Sequence, residues 1–293
     1  EAFTQQIDAK YNIVEEHEVA EKLLTRSEFV HKGDMGHALL VAGSYGMAGA
    51  ATLATQACLR VGVGKVTTHI PKHLLNILQI SVPEAVVSVD PEKEHFTEPV
   101  DTDPFDALGI GPGLGQHENS AIAMIAQVRR AQCPIVVDAD ALNMLGTHRA
   151  WMQQLPKNII LTPHPKEFDR LVGNTSADSY ERLAKACELA ERLHGFVLLK
   201  GHYTALCQPN GKVFFNSTGN GGMATAGCGD VLTGIITGLL ARGYRHADAC
   251  IVGMYLHGLA GDLAAQEMGK ESMIAGDIIR CIPQAFKKLQ ALH

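Results

Sequence analysis

The stretch Asn220–Gly243, NGGMATAGCGDVLTGIITGLLARG, is a glycine-rich loop that leads into a long apolar segment. A turn needs one or two glycines, whereas this loop has four within the nine positions before Asp230. Small residues allow main-chain N–H groups to converge on an anion, so Thr225–Gly229 is predicted to form a phosphate-binding nest. The helix that begins near Asp230 would add the positive end of its dipole. The amides expected to form this anion hole are those of Ala226, Gly227, Cys228 and Gly229.

Asp230 is the polar residue best placed to act beside this nest. A carboxylate next to a helix N-terminus is expected to stay ionised at neutral pH, because the dipole favours its charged form. It could accept a proton from a substrate hydroxyl that attacks phosphorus, while the nest neutralises charge on the transferred phosphoryl group. The alternative role for Asp230 is a helix N-cap, and the residue alone does not separate the two.

The composition is that of a globular protein, with 46% hydrophobic and 19% charged residues in 293. The formal net charge of −6 and the lack of Lys/Arg runs argue against nucleic acid as a partner. No segment approaches about 20 uninterrupted apolar residues, so we expect no membrane span. Seven scattered cysteines without a C-x-x-C pair favour reduced thiols and a cytoplasmic location over a disulfide framework or zinc site.

Short apolar runs alternate with helical patterns, which predicts an α/β fold with a mainly parallel sheet covered by helices on both faces. Several of the runs lack polar alternation, as is typical of strands buried on both faces. The clearest helix lies within Ser176–Gly195, with Gly195 where a C-cap glycine would stand. Tyr203–Ser217 predicts a hairpin around its Pro-Asn-Gly turn. The predicted strands are His37–Gly43, Lys65–Ile70, Glu84–Val89, Asp106–Gly111, Pro134–Asp140, Asn158–Thr162 and Phe196–Gly201.

In open parallel sheets, ligands bind beyond the carboxyl ends of the strands, and two further glycine-rich loops are predicted there. Val41–Ala51, VAGSYGMAGAA, matches neither G-x-G-x-x-G nor a P-loop, since no Walker lysine follows. Gly109–Gly115, GIGPGLG, would expose backbone amides in a sharp turn. Each segment alone could equally serve tight packing or turn formation.

A histidine follows another predicted strand, in LTPHPKEFDRLVG, Leu161–Gly173. Pro163 and Pro165 should hold His164 extended, and Pro165 can open the next helix. The imidazole could touch a ligand or bond to the backbone. Glu167 fits a solvated first helical turn and needs no functional role.

Four other polar side chains have open or structural interpretations. Asp138 and Asp140 follow a predicted strand and could contact a metal or ligand, although Asp140 could also cap a helix through Asn143. Cys228 is expected to fill space in the nest rather than act as a nucleophile. His257 is expected to be a core or interface histidine.

Six motifs together resemble the NAD(P)H-hydrate dehydratases, ribokinase-like proteins that repair hydrated nicotinamide cofactors. The resemblance extends from about His31 to the C-terminal helix, and only the six motifs together make it specific. The G-x-G-D core alone is shared with ribokinase-like kinases of sugar or vitamin alcohols, which are the alternative function. The motifs are HKGDMGHALLVAGSYGMAGAA, GIGPGLG, VVDADALN, LTPHPKEF, LLKGHYT and GMATAGCGDVLTGIITGLLARG.

The resemblance implies that a nucleotide phosphorylates the hydroxyl of hydrated NADH or NADPH in its S-form. Phosphate then leaves and the reduced cofactor is restored. PHP is similar to the bacterial form, which implies ADP as donor and AMP as product, with ATP as the alternative. Mg²⁺ is implied as a charge neutraliser that has no dedicated carboxylate cage and takes most of its ligands from phosphates and water. Asp230 is implied as the catalytic base. The implied nucleotide-binding residues are Lys200, Gly201, His202, Tyr203, Thr204 and Gly229, and the implied substrate-binding residues are Ala50, Gly113, His164 and Asp230.

The resemblance also carries expectations about domains and partners. Residues 31–293 are expected to form a single ribokinase-like dehydratase domain, preceded by an extension or linker at 1–30. The chain begins EAFTQQ without an initiator methionine, and many family members carry an N-terminal epimerase domain. These features are compatible with an excised C-terminal half and also with a processed or trimmed product. An NAD(P)H-hydrate epimerase, fused or separate, is the partner that the resemblance implies. A homo-oligomer is expected, with a tetramer favoured.

Overall fold

The computed structural model describes residues 9–292, in which ten strands form one sheet. The strand order is β1-β10-β9-β8-β7-β6-β5-β2-β3-β4. Neighbouring strands are parallel except where β9 pairs with β8 and with β10. The strands are β1 Tyr11–Ile13, β2 His37–Val41, β3 Lys65–Ile70, β4 Val86–Val89, β5 Ala107–Ile110, β6 Ile135–Val137, β7 Ile160–Leu161, β8 Phe196–Leu199, β9 Ala205–Cys207 and β10 Val213–Phe215.

Helices cover both faces of this sheet, because successive strand residues point to opposite sides. In β2, Ala38 and Leu40 belong to one core with α2, α8, α9 and α10, whereas Leu39 and Val41 belong to a second core with α4 to α7. This architecture confirms the predicted α/β class. Within the described residues, every helix is too short or too polar to span a bilayer. The α-helices are α1 Glu16–Glu21, α2 Ala48–Arg60, α3 Leu75–Ser81, α4 Glu118–Arg130, α5 Ala139–Thr147, α6 Pro165–Val172, α7 Ser179–Leu193, α8 Cys228–Ala241, α9 His246–Met268 and α10 Ala275–Gln290.

Each of the seven predicted strands contains an observed one, although several are shorter than predicted. The run Pro134–Asp140 yields only β6, because the chain leaves the sheet at Asp138 and α5 begins at Ala139. The predicted hairpin is confirmed as β9 and β10. Its turn closes through Gly211, whose φ is +82° and whose N–H donates to the Gln208 carbonyl at 3.0 Å.

The predicted C-cap at Gly195 is wrong. The left-handed residue that ends α7 is His194, with φ +48°, and β8 begins one residue after Gly195. Gly195 is small for another reason: a Cβ there would lie 2.8 Å from the Ile159 carbonyl oxygen. The glycine therefore serves the close approach of two strands rather than the helix end.

Part of the predicted extension, residues 1–30, belongs to the sheet. Tyr11–Ile13 pairs in parallel with β10, and the N–H of Val14 donates to the Phe215 carbonyl at 2.9 Å. Val14 and Val19 are fully buried. Residues 1–8 lie outside the described residues, and the division of the chain at residue 31 stays a prediction.

Helix α8 lies unusually close to α2 because two of its residues lack side chains. A Cβ on Gly234 would lie 2.2 Å from the Ala54 carbonyl oxygen, and one on Gly238 would lie 2.4 Å from Val61 Cγ2. Below the helix, a Cβ on Gly109 of β5 would lie 2.4 Å from Thr237 Oγ1. These contacts place α8 firmly on the sheet, with its N-terminus at the carboxyl ends of the strands.

We therefore predict that Gly234→Ala destabilises the protein by about 1–3 kcal/mol, because the new methyl group collides with backbone. Gly276→Ala is the matched control, since Gly276 also lies in a helix but has nothing within 4 Å of an added Cβ. The control should be neutral or stabilising by up to about 1 kcal/mol, because alanine favours the helix. Denaturant unfolding followed by circular dichroism measures both, and equal stabilities would contradict the close contact.

Candidate active site

The glycine-rich loop ends at Gly227, which caps α8 in a left-handed conformation with φ +91°. The helix begins at Cys228, so Asp230 lies inside its first turn and is not the N-cap. This excludes the capping role considered for Asp230. Within the described residues, the N–H groups of Ala226, Gly227 and Gly229 donate to no protein acceptor, whereas that of Cys228 reaches the Thr225 carbonyl at 3.5 Å. Three of the four predicted anion-hole amides are therefore available to a ligand.

A fixed positive charge lies beside these amides. A Cβ on Gly229 would lie 3.2 Å from Lys200 Nζ, so the ammonium lies close against the start of α8. Lys200 Nζ donates to Asp138 Oδ1 at 2.7 Å and lies 3.9 Å from Glu167 Oε2. The other oxygen of Asp138 accepts a hydrogen bond of 2.6 Å from Thr233 in α8.

The charged cluster of this site consists of Asp138, Asp140, Glu167, Lys200 and Asp230. The protonation of its members depends on burial and on the charges of the other members. Burial lowers the pKa of Lys200, but the nearby Asp138 and Glu167 outweigh that effect and raise it above its usual value, so Lys200 stays charged. Burial raises the pKa of Asp230 to about 7, and the charge of Asp138 adds to this while Lys200 opposes it. The expectation that Asp230 is fully ionised at neutral pH is therefore wrong. It titrates near neutrality, where a general base is most effective.

His164 has the extended conformation expected between two prolines, and Pro165 begins α6. Its Nδ1 accepts hydrogen bonds from the N–H groups of Lys166 and Glu167, so the backbone-bonded interpretation is confirmed for this nitrogen. The Glu167 carboxylate accepts from the His164 N–H at 2.8 Å, which completes a capping box. The expectation of a solvated Glu167 is wrong, because its side chain is only 7% exposed.

A cleft of about 620 Å³ opens along this cluster at the carboxyl edge of the sheet. It brings together seven of the predicted site residues from three separate loops. It does not include Tyr203, whose side chain is 65% exposed, nor Ala226, Gly227 or Asp230 in its wall. The predicted residues in its wall are His164, Lys200, Gly201, His202, Thr204, Cys228 and Gly229.

Sequence reasoning missed the opposite wall of the cleft. Asn216, Thr218 and Asn220 follow β10, which runs parallel to most of the sheet, so their place after a strand was a usable signal. His257 also lies in this wall and is not simply a core histidine. Burial lowers its pKa to about 4, and its Nε2 has no partner among residues 9–292. The remaining wall residues are Pro165, Gly219, Gly221, Met223, Ala224, Thr225, Leu232, Met254 and Gly258.

Ala50 and Gly113, the other predicted substrate residues, lie together outside this cleft. Gly113 has φ +63°, and a Cβ on it would lie 2.8 Å from Ala50 Cβ. Asp140 supports the same loop by accepting from the Gly115 N–H at 2.9 Å and from the Gln116 amide at 2.8 Å. Asp140 therefore does not cap α5, and that interpretation is wrong.

Asp230 interacts electrostatically with both regions. Its titration responds to Lys200, which lines the cleft, and to Asp140, which supports the loop of Gly113. The carboxylate is half-buried and makes no hydrogen bond within the described residues. The arrangement suits transfer of a group from a ligand in the cleft to one beside Gly113.

The carboxylates of this cluster do not form a metal cage. Asp138, Asp140 and Glu167 each accept hydrogen bonds from protein groups. Within residues 9–292, no three histidine, cysteine, aspartate or glutamate side chains are arranged to hold a metal ion. A magnesium ion here would need most of its ligands from phosphate oxygens and water.

Known structures identify the class of fold. A ribokinase-like superfamily protein from Enterococcus faecalis superposes with a TM-score of 0.80 at 25% identity, covering 96% of this chain and 97% of that one. The fold is therefore ribokinase-like. The crystal structure of an ADP/ATP-dependent NAD(P)H-hydrate dehydratase from Bacillus subtilis, co-crystallized with ATP and Mg²⁺, superposes with a TM-score of 0.83 at 32% identity, covering 95% of this chain and 98% of that one.

The family follows from sequence comparison. The family model described as NAD(P)H-hydrate dehydratase matches residues 38–284. The ADP-dependent (S)-NAD(P)H-hydrate dehydratase of Bacillus subtilis is 34% identical over 94% of this chain and 98% of its own length. The chain thus belongs to the NAD(P)H-hydrate dehydratase family, as the six motifs predict.

One relative is longer than this chain. The bifunctional NAD(P)H-hydrate repair enzyme Nnr of Moorella thermoacetica is 42% identical over 275 residues. The match covers 89% of this chain but 51% of that protein. The chain thus spans about half the length of this relative.

The capping box predicts a measurable role for His164 in stability. His164→Ala should destabilise the protein by about 0.5–2 kcal/mol, because two N–H groups at the start of α6 lose their acceptor. His164→Asn should recover most of that loss, since asparagine is a preferred N-cap. The unfolding midpoint in urea checks both variants, and an alanine variant as stable as wild type would rule out the capping role.

Proposed function

We propose that the protein dehydrates the S-form of hydrated NADH and NADPH, using phosphoryl transfer from an adenine nucleotide. The observation that carries this proposal is the position of Asp230. It lies in the first turn of a helix with free N–H groups at its start, beside the fixed charge of Lys200. Family membership supplies the substrate class, and the relatives named above carry that activity in their names.

The nucleotide would lie in the cleft lined by Lys200, Gly201 and Thr204, with its terminal phosphate at the start of α8. The N–H groups of Ala226, Gly227 and Gly229, together with Lys200, would neutralise the charge that develops during transfer. The hydrated nicotinamide would lie beside Ala50, Gly113 and His164. His202 and Tyr203 complete the proposed nucleotide site, with Tyr203 at its exposed edge.

In the first step, Asp230 would accept the proton of the ring hydroxyl while the hydroxyl oxygen attacks the terminal phosphorus of the nucleotide. A bond forms between that oxygen and phosphorus, and the bond from phosphorus to the bridging oxygen of ADP breaks to release AMP. A pKa of about 7 leaves an appreciable fraction of Asp230 ionised at neutral pH, as this role requires. Because its folded-state pKa is raised, the base form increases as the pH rises through 7.

In the second step, the ring nitrogen would donate its lone pair and expel phosphate, a better leaving group than hydroxide. Loss of a proton from the neighbouring ring carbon then restores the dihydropyridine. The sum converts ADP and the hydrated cofactor to AMP, phosphate and NADH or NADPH. Mg²⁺, carried on the nucleotide phosphates, would supply charge neutralisation.

We propose ADP as the preferred donor, because the PHP motif and the name of the Bacillus relative point to it. ATP is the alternative, since a solved relative is described as ADP/ATP-dependent. A homo-oligomer, favoured as a tetramer, a cytoplasmic location and an association with an epimerase stay proposals. The bifunctional name of the Moorella relative supports the last of these.

The assay that tests the function combines the protein with chemically hydrated NADPH, MgCl₂ and either ADP or ATP. The account expects the absorbance of NADPH to return, with AMP and phosphate released in step with ADP use. No return with either nucleotide would overturn the proposal. A stable phosphorylated product would instead indicate a ribokinase-like kinase.

Asp230→Asn tests the base. We expect turnover to fall by about two to four orders of magnitude, because the amide accepts no proton in the transition state. Binding of ADP, measured by calorimetry, should persist, since the amides and Lys200 remain. Undiminished turnover in Asp230→Asn would show that another group is the base.

A further inference from the structure

Asp138 is a buried carboxylate that the proposed chemistry does not yet use. Its side chain is 1% exposed and does not line the cleft, so it cannot contact a nucleotide bound there. Both oxygens are nevertheless occupied, one by Lys200 Nζ at 2.7 Å and the other by Thr233 Oγ1 at 2.6 Å. Asp138 therefore connects the ends of β6 and β8 to the first turns of α8.

The connection matters because a lysine side chain is flexible. Lys200 has four rotatable methylene carbons, and without a partner its ammonium could occupy many positions. Glu167 is a poor substitute partner, since it lies 3.9 Å away and already accepts from the His164 N–H in the capping box. Asp138 is thus the group that selects one position for Lys200.

That position is beside Gly229. A Cβ on Gly229 would lie 3.2 Å from Lys200 Nζ and 3.7 Å from Asp138 Oδ2, so the ion pair lies directly against the start of α8. Thr233 lies one helical turn further along α8 and is completely buried. Its hydroxyl fixes the carboxylate relative to the helix whose first turn lines the cleft at Gly229.

We propose that Asp138 is a positioning residue: with Thr233, it holds the Lys200 ammonium beside Gly229, where the transferred phosphoryl group would be received. This inference rests on the proposed dehydratase function. A charge held in place before the reaction needs no reorganisation as negative charge develops on the phosphoryl group. Asp138 would therefore contribute to nucleotide binding and transfer without touching either ligand.

The same carboxylate should influence the proton-accepting step. The charged groups that face Asp230 are Asp138 and Asp140 at the start of α5, Glu167 in α6, and Lys200 after β8. Burial contributes most to the raised pKa of Asp230, and Asp138 contributes the next largest part. Removal of the Asp138 charge should therefore lower the pKa of Asp230 while leaving its burial unchanged.

Asp138→Asn removes the charge and keeps the size. We expect the KM for ADP to rise by about 10- to 100-fold, because Lys200 loses its fixed position. We also expect the acid limb of the kcat/KM profile, near pH 7 in wild type, to move to lower pH. Damage to the fold alone would reduce the amount of active protein but would not move this limb.

Thr233 provides the matched pair of variants. Thr233→Val keeps the side-chain volume but removes the hydroxyl, so it should raise the KM for ADP in the same direction as Asp138→Asn. Thr233→Ser retains the hydroxyl and should restore a KM close to that of wild type. Thermal unfolding of each variant shows whether the fold is intact.

The outcomes separate this inference from the proposed function. If the wild-type protein does not dehydrate hydrated NADPH, the proposed function is overturned. The affinity of Asp138→Asn for ADP, measured by calorimetry, then still tests whether Asp138 positions Lys200. If wild type is active and a folded Asp138→Asn keeps both its ADP affinity and its acid limb, the inference alone is overturned. If Asp138→Asn does not fold, Thr233→Val decides, and a wild-type KM for ADP in that variant overturns the inference.

Discussion

The close packing of α8 against α2 and β5 is the constraint on which the rest of the site depends. Gly234 and Gly238 bring the helix against the backbone of α2, and Gly109 brings it onto the sheet. Side chains at these positions would lift the helix and move its N-terminus away from the strand ends. The close packing at these three glycines therefore helps to set the positions of the free amides, Asp230 and Thr233.

Electrostatic competition within the charged cluster explains why Asp230 titrates near neutral pH. A helix N-terminus favours an ionised carboxylate, but Asp230 is half-buried and faces three other carboxylates and one ammonium. Burial and like charge prevail over the dipole, and the pKa rises to about 7. Lys200 experiences the opposite balance and remains charged. One buried group of charges thus provides a fixed cation and a titratable carboxylate side by side.

The sequence predicts features that depend on local chemistry. Strands such as β5 and β6 follow from continuous apolar runs, and Pro165 correctly predicts the start of α6. The glycine-rich loops do meet at the carboxyl edge of the sheet, because parallel strands bring their ends together. For example, Gly113 lies close to Ala50, and Gly229 lies close to Lys200.

Features that depend on contacts between distant segments were not predictable in this way. The sequence around Glu167 predicts a solvated helix residue. In the structure, Glu167 is buried next to Lys200, which is 33 positions away in the sequence. The pKa of Asp230 in α8 depends on Asp138, which lies between β6 and α5. Asn216 and Thr218 reach the cleft only because β9 reverses direction and β10 returns parallel to the main sheet. His194 takes the left-handed position at the end of α7, whereas Gly195 lies against the Ile159 carbonyl.

The proposed mechanism requires the start of α8 to bind the phosphoryl group during its transfer, and Asp230 to face the hydroxyl that accepts this group. A crystal structure with a non-hydrolysable ADP analogue, Mg²⁺ and a nicotinamide cofactor tests this most directly. We expect the terminal phosphate at the N–H groups of Ala226, Gly227 and Gly229, in contact with Lys200 Nζ, and the nicotinamide ring beside Asp230. A phosphate bound elsewhere in the cleft, with Asp230 directed away from both ligands, would contradict it.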